Sequence, residues 1–228
     1  MGKKRNRYNW TAALRSLKEM MSPEHYQIVV QSKGQSFDSE GVDLVKDLVI
    51  KMYRSYKTKV ITREAFKRSI ILNVVSGAIY RNFINRVTKG IEEKGYSIVS
   101  TMADTKTKYG STYTVGLSRT LGYDLIIINN AHPENRHQVL RDTLVNLSGI
   151  DKDDLDGAIV TFDEGDRVQL VKVSIPKVVN VYAPYIPTVL DAGHQLVVFQ
   201  IVYPNENGHL PSDEEYLPSD LHPVFRQE

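Results

Sequence analysis

Four groups of residues in this 228-residue chain have types and spacings that could carry chemistry. The first is Asn129, Asn130 and His132, with Tyr113, Arg119 and Arg136 as candidate neighbours. The asparagines follow the apolar run Leu125-Ile126-Ile127-Ile128 and precede Pro133, which opens a helix. They therefore fall where a strand end meets a helix N-terminus, a place where polar groups converge on an anion or another ligand. The simpler reading is local turn hydrogen bonding by both asparagines. The second group is the pair His132 and His137, which could share a metal with Glu134 or Asp124. The plainer alternative has His132 and Pro133 at the helix start and His137 on the helix surface, and a structural zinc site asks for four well-spaced ligands that are not supplied here. No residue is assigned to a metal.

The third group, Asp163, Glu164 and Asp166, has the composition of paired carboxylates for acid/base work or cation binding. It also has the composition of a solvated hairpin tip. The fourth is basic: Lys3, Lys4, Arg5 and Arg7 are interleaved with Tyr8 and Trp10, and Lys51, Arg54 and Lys57 recur later at helical spacing. Arginine and lysine beside stacking aromatics are suited to phosphate contact, against the alternative of a solvated, frayed terminus. No Gly-rich phosphate loop, His-Glu-x-x-His helix or Gly-x-Ser-x-Gly elbow is present, so no catalytic residue and no cofactor is assigned.

The elements that must position these groups fall into two regions. From Trp10, the spacing of Ala13, Leu14, Leu17, Met20 and Met21 predicts a helix, and Ser22-Pro23 caps a new turn. Asp38 or Ser39 is the expected cap of a second strong helix, with Val42, Val45, Leu48, Val49, Met52, Tyr53 and Tyr56 on one stripe. Thr62 caps a third, long one running to Val87, in which Gly77 marks a close crossing or a break. Beyond Gly95 short strands take over: Ser97–Thr101, Thr112–Leu117, Leu125–Asn129, Ala158–Phe162, Arg167–Ile175, Val178–Tyr182 and Gln195–Tyr203. A helix from Pro133 interrupts them, and Asp163-Glu164-Gly165-Asp166 forms a hairpin turn. Pro187–Leu190 reads as a short helical turn and Leu210 onward as an extended tail, lying on the domain or disordered. The expected fold is α+β: a small all-helical basic module over 1–85, then a domain over 86–228 with a mainly antiparallel sheet.

Charge divides the same way. Residues 1–100 hold 19 Lys+Arg against 9 Asp+Glu, and residues 101–228 hold 10 against 18, so a formal net charge of +2 conceals two halves of opposite sign. The chain has no cysteine, which excludes disulfides, thiolate metal sites and a cysteine nucleophile, and which fits a cytoplasm. No apolar run approaches the length of a membrane span.

Three stretches carry a resemblance: Tyr113-Thr114-Val115-Gly116-Leu117 with the strand Leu125–Ile128, then Gln200-Ile201-Val202-Tyr203-Pro204-Asn205-Glu206-Asn207-Gly208-His209-Leu210-Pro211, and the entry segment Val87–Val99. In sequence, order and separation they resemble a bacterial and phage family of unknown function, DUF 4262. Where family members often have His-Pro-Glu before the second strand this chain has Tyr123-Asp124, and Ser212 stands in place of a Trp. The resemblance implies a fold and no particular chemistry.

Two function classes follow. One is a non-enzymatic regulatory or host-interaction protein, cytoplasmic in a bacterium or in the host of a phage, whose basic helices dock on nucleic acid or an acidic protein surface through Lys3, Lys4, Arg5, Arg7, Trp10, Lys51, Arg54 and Lys57. The other is a small-molecule-binding domain or weak hydrolase using the Asn129–His137 corner. Charge asymmetry favours the first, and the lack of a recognisable nucleophile and base counts against the second.

Overall fold

A computed structural model describes residues 8–36, 41–103, 107–173, 175–186, 196–217 and 223–225, with residues 175–177 described as backbone. The chain forms two compact units, Met1–Asn85 and Arg86–Glu228.

The first unit is helical because each apolar stripe begins behind a side chain that accepts an otherwise unpaired backbone N–H. Asn9 Oδ1 accepts Ala12 N–H at 2.9 Å at the start of α1, Trp10–Lys18. Ser22 Oγ accepts His25 N–H at the start of α2, Pro23–Gln31. Helix α3, Leu44–Lys57, is capped by Asp43, which accepts both Lys46 N–H at 3.0 Å and Gly34 N–H at 2.9 Å. The expected cap at Asp38 or Ser39 lies outside the described residues, and helical geometry starts only after Asp43 has made those bonds. Thr62 caps α4, Arg63–Ile70, through Ala65 N–H. Ala13, Leu17, Val29, Val49, Phe66, Ile70, Val74 and Val75 close the core between these helices.

The long third helix is interrupted, but not at Gly77. Residues Ile71–Val75 form a π-helical turn, and a Cβ at Gly77 would meet only Arg81 Nη1 at 3.6 Å. The extra residue in that turn keeps Ile70, Val74 and Val75 all buried, which an uninterrupted 3.6-residue repeat starting at Phe66 would not do as well. Helix α5 follows as Ser76–Lys94.

The second unit is built on one six-stranded sheet. Its strands are β1 Ser97–Thr101, β2 Gly110–Val115, β3 Asp124–Asn129, β4 Ile159–Thr161, β5 Arg167–Lys172 and β6 Val198–Val202. The spatial order is β1-β2-β3-β6-β5-β4, and every neighbouring pair is antiparallel except β3 with β6. This is an α+β fold with a mainly antiparallel sheet. A short α6, Ser118–Leu121, lies between β2 and β3, and α7, Pro133–Asn146, follows β3. Gly165, at φ +87°, turns the β4–β5 hairpin as its position in Asp163–Asp166 predicts.

Side chains alternate between the two faces of a strand. One face carries Leu125, Ile127, Val168, Leu170, Phe199 and Ile201 against Leu140 of α7, Leu147 just past its end, and Leu155. The opposite face carries Tyr113, Ile126, Ile128, Val171, Val198, Gln200 and Val202, all buried. Segments tied to this second face include the end of α8, Ile175–Tyr182, and two stretches of the C-terminal tail.

Helix α8 corrects the expected strand at Val178–Tyr182. Its β-branched residues favour a strand, but Ile175, Val178, Val179 and Tyr182 also follow the i, i+3, i+4, i+7 spacing, and burial of Val178 and Val179 on one side settles the segment as helix. Strand β5 ends at Lys172 and β6 begins at Val198, both shorter than expected. The turn expected at Pro187–Leu190 lies outside the described residues.

Candidate functional site

The β3–α7 corner is organised by Arg136, which is 1% exposed in the first turn of α7. Its Nε donates to Thr112 Oγ1 at 3.1 Å, Nη1 to the carbonyls of Asn129 (3.1 Å) and Ala131, and Nη2 to the Thr101 carbonyl at 2.8 Å. The guanidinium therefore joins the ends of β1 and β3 to β2 and to the first turn of α7. The atoms accepting these bonds are backbone carbonyls and a hydroxyl, not carboxylates. Burial pushes Arg136 down from its ordinary pKa, while its cation opposes the effect of burial on Tyr203, whose hydroxyl is pushed up to about 12. The close approach needs Gly110, where a Cβ would stand 2.9 Å from both terminal guanidinium nitrogens and from the Thr101 oxygen.

Asn129 is buried beside this staple. Its Oδ1 accepts Ala131 N–H at 3.0 Å, the local turn bond expected of an asparagine at a strand end, and its Nδ2 has no acceptor. Asn130 and His132 are exposed, with His132 Nδ1 3.8 Å from Glu134 Oε2. His137 is half-buried and pushed down by burial and by Arg141. Of the six corner candidates, the structure ties Asn129 to Arg136 directly, with Asn130 and His132 on the intervening turn. Tyr113 faces the other side of the sheet from its neighbour Thr112, and Arg119 lies on α6, which leads into the opposite end of β3.

Asp124, at the start of β3, is likewise remote from the histidines and is fully buried. Its Oδ1 accepts the Thr114 hydroxyl at 2.7 Å and Leu117 N–H at 3.1 Å, and the same hydroxyl accepts Leu125 N–H at 2.9 Å. Its Oδ2 and the Ser118 hydroxyl have no partner at normal hydrogen-bond geometry. Burial raises the carboxyl to about 6, opposed by the hydroxyls of Thr114 and Ser118 and the amides of Ser118 and Leu117. Spacing offers Asp124 only as a possible metal partner of the histidines, whereas strand pairing buries it against Thr114.

Two buried glutamines on the second face were also missed, because isolated polar residues in a strand read as solvent-facing positions. Gln169 donates to the Gly157 carbonyl and accepts Ser212 N–H at 2.8 Å. Gln200 donates to the Pro223 carbonyl and accepts Phe225 N–H at 3.0 Å. Each primary amide holds one end of the C-terminal tail against the sheet. Asp163, Glu164 and Asp166 line a groove of ≈540 Å³ together with Asp142 and the apolar Val139, Val145 and Phe162.

In the first unit, Lys51, Arg54 and Lys57 are exposed on α3. The Arg54 guanidinium carbon lies 6.0 Å from the centre of the Tyr8 ring, and Lys57 Nζ lies 5.6 Å and 5.0 Å from the Tyr53 and Tyr56 rings. Tyr56 in turn stacks on Phe66, with centroids 5.5 Å apart and planes at 6°. Trp10 is half-buried as the first residue of α1 and packs against the helical core. Lys3, Lys4, Arg5 and Arg7 lie outside the described residues. Among the described residues, no helix is long and apolar enough to cross a membrane.

Residues 90–217 match the model of a family described as a domain of unknown function, DUF4262. The match spans more than half of the chain, and the chain belongs to that family. Comparison with curated proteins and with solved structures gives no match.

Proposed function

We propose that this family member is a non-enzymatic interaction protein, acting in the cytoplasm of a bacterium or of a phage's host, whose basic helical unit docks on nucleic acid. The observation that carries the reading is the solvent face of α3, where Lys51, Arg54 and Lys57 are exposed and the last two lie over the rings of Tyr8, Tyr53 and Tyr56. A ring beneath a cation holds the charge at a fixed height without neutralising it, which leaves the charge available to a phosphate. Residues 1–85 hold 16 Lys+Arg against 7 Asp+Glu, so the wider surface repels cations and attracts a polyanion. The affinity of such a surface comes from released counterions and carries little sequence preference.

The test is the salt dependence of binding of the full chain to labelled single-stranded and duplex DNA. Each neutralised phosphate contributes about −0.9 to the slope of log affinity against log salt on duplex, so changing Lys51, Arg54 and Lys57 together to Gln flattens that slope by about 2 to 3. A slope left unchanged by the triple substitution, or no measurable binding at low salt, overturns the nucleic-acid reading. Stoichiometric, saturable binding to an acidic protein instead would reassign the same surface.

A further inference from the structure

Tyr113, Ile126 and Gln200 are successive partners across β2, β3 and β6, and the row is extended by Val99 at one end and Val171 at the other. All five side chains therefore rise from the same line of the sheet, on the face opposite α7. Three are plain core residues. Gln200 and Tyr113 are not: both are buried and carry polar groups. Packing alone would be served at least as well by an apolar residue at either position, since a buried amide is unfavourable unless its donor and acceptor are both met.

The partners of Gln200 come from the chain's own C-terminus. Its Nε2 donates to the Pro223 carbonyl and its Oε1 accepts Phe225 N–H, the two backbone groups that flank Val224. A residue of a parallel strand pair bonds the carbonyl and the amide that flank its partner in the same way, so the side-chain amide here stands in for strand backbone. Pro223 has no N–H to leave unpaired at the acceptor-only position. The Phe225 ring lies against Tyr182, centroids 5.7 Å apart at 45°, and Tyr182 is itself anchored by its carbonyl, which accepts the Ser111 hydroxyl. Main-chain hydrogen bonds from a fixed amide, with a ring pocket two residues apart from a proline, are the parts of a recognition site for an extended peptide.

We propose that Gln200 and Tyr182 form a peptide-recognition site for an extended segment of the pattern proline, apolar residue, phenylalanine, filled in this structure by the chain's own Pro223–Phe225. A partner carrying that pattern enters by displacing the C-terminal segment. Tethering gives the resident segment an effective concentration that a free peptide must exceed, so the site is accessible chiefly to partners of high local concentration.

The experiment uses the full chain in three forms: unchanged, with Pro223, Val224 and Phe225 replaced by Gly, Ser and Gly, and with Gln200→Met added to that triple replacement. The probe is a fluorescent synthetic peptide with the sequence of Leu221–Glu228. Saturable binding to the triple variant, at least tenfold weaker binding to the unchanged chain and loss of binding on adding Gln200→Met are expected. Absence of binding to a folded triple variant, or binding indifferent to Gln200→Met, overturns the proposal. Hydrogen exchange in the unchanged chain is a second arm that needs no variant: the Phe225 amide is expected to exchange at least tenfold more slowly than in the free peptide, and exchange at the peptide's own rate overturns the proposal.

Discussion

The Thr114 hydroxyl donates to Asp124 Oδ1 at 2.7 Å while accepting the amide of Leu125 at 2.9 Å, so one β2 side chain ties both the buried carboxylate and the following amide of β3 to β2. The Asp124 carboxyl is raised from 3.8 to about 6 by its burial. The folded protein then binds more protons than the unfolded chain between about pH 4 and pH 6, and stability contributed by this group falls as pH rises through that window. A shift of that size corresponds to roughly 3 kcal/mol between its ends. Asp124→Asn keeps an acceptor for Thr114 and Leu117 but does not ionise. Its melting temperature is expected to lose this component of the decline between pH 4 and pH 6, and to equal or exceed that of the unchanged protein at pH 7. A decline of undiminished slope in the variant would refute the assignment.

Arg136 and Gly110 form a coupled pair. Arg136→Met leaves the carbonyls of Thr101, Asn129 and Ala131 without their donor and is expected to lower stability by about 3 to 5 kcal/mol, the range for breaking a buried polar network. Gly110→Ala drives a Cβ into the guanidinium and is expected to cost about 1 to 3 kcal/mol. Because the two clash with each other, the double substitution should be less damaging than the sum. Additivity in denaturant unfolding within about 0.5 kcal/mol would show that they do not interact.

Gly116 combines φ +93° with a Cβ position 2.9 Å from Ile91 Cγ1 of α5. Gly116→Ala is expected to destabilise by about 2 kcal/mol or more, from backbone strain of roughly 1 kcal/mol plus overpacking. Ile91→Ala should relieve the second part and leave the first. Equal cost of Gly116→Ala with and without Ile91 would remove the helix contact from the explanation.

Burial pushes the pKa of the Tyr113 hydroxyl up, and the Tyr185 backbone opposes the shift. Tyr113→Phe deletes the hydroxyl while keeping the ring and is expected to change thermal stability by no more than about 1 kcal/mol. A loss greater than about 1 kcal/mol would mean that the hydroxyl bonds the Tyr185 backbone more strongly than an ordinary neutral hydrogen bond.

Trp10 packs against the helical core while remaining partly exposed. Trp10→Ala is expected to lower stability by about 2 to 3 kcal/mol, below the range for a fully buried aromatic. Any loss of nucleic-acid affinity should then affect single strands and duplex alike. A selective loss on single strands with stability intact would return Trp10 to a stacking role.

Much of the chain could be read locally because its signals are local. Periodicity and N-cap chemistry place α1, α4 and α7 from neighbours three or four residues away, as at Thr62 and Pro133, while alternation places β2 and a continuous apolar run places β3. The opposite charges of the two halves and the membership of the family were also present in residue order alone. Tertiary structure decided the rest, because a polar residue's role depends on what covers it. Asp124, Gln169 and Gln200 are ordinary surface residue types until α7, α8 and the tail bury both faces of the sheet, and only then must each find partners 7 to 43 residues away. The same holds for α8, where β-branched propensity pointed to a strand and the burial of one helical side prevailed. The corner at Asn129 was visible as a strand end meeting a helix. That its arginine is satisfied by three backbone carbonyls depended on β1 returning beside β2, a pairing between strands that no residue spacing encodes.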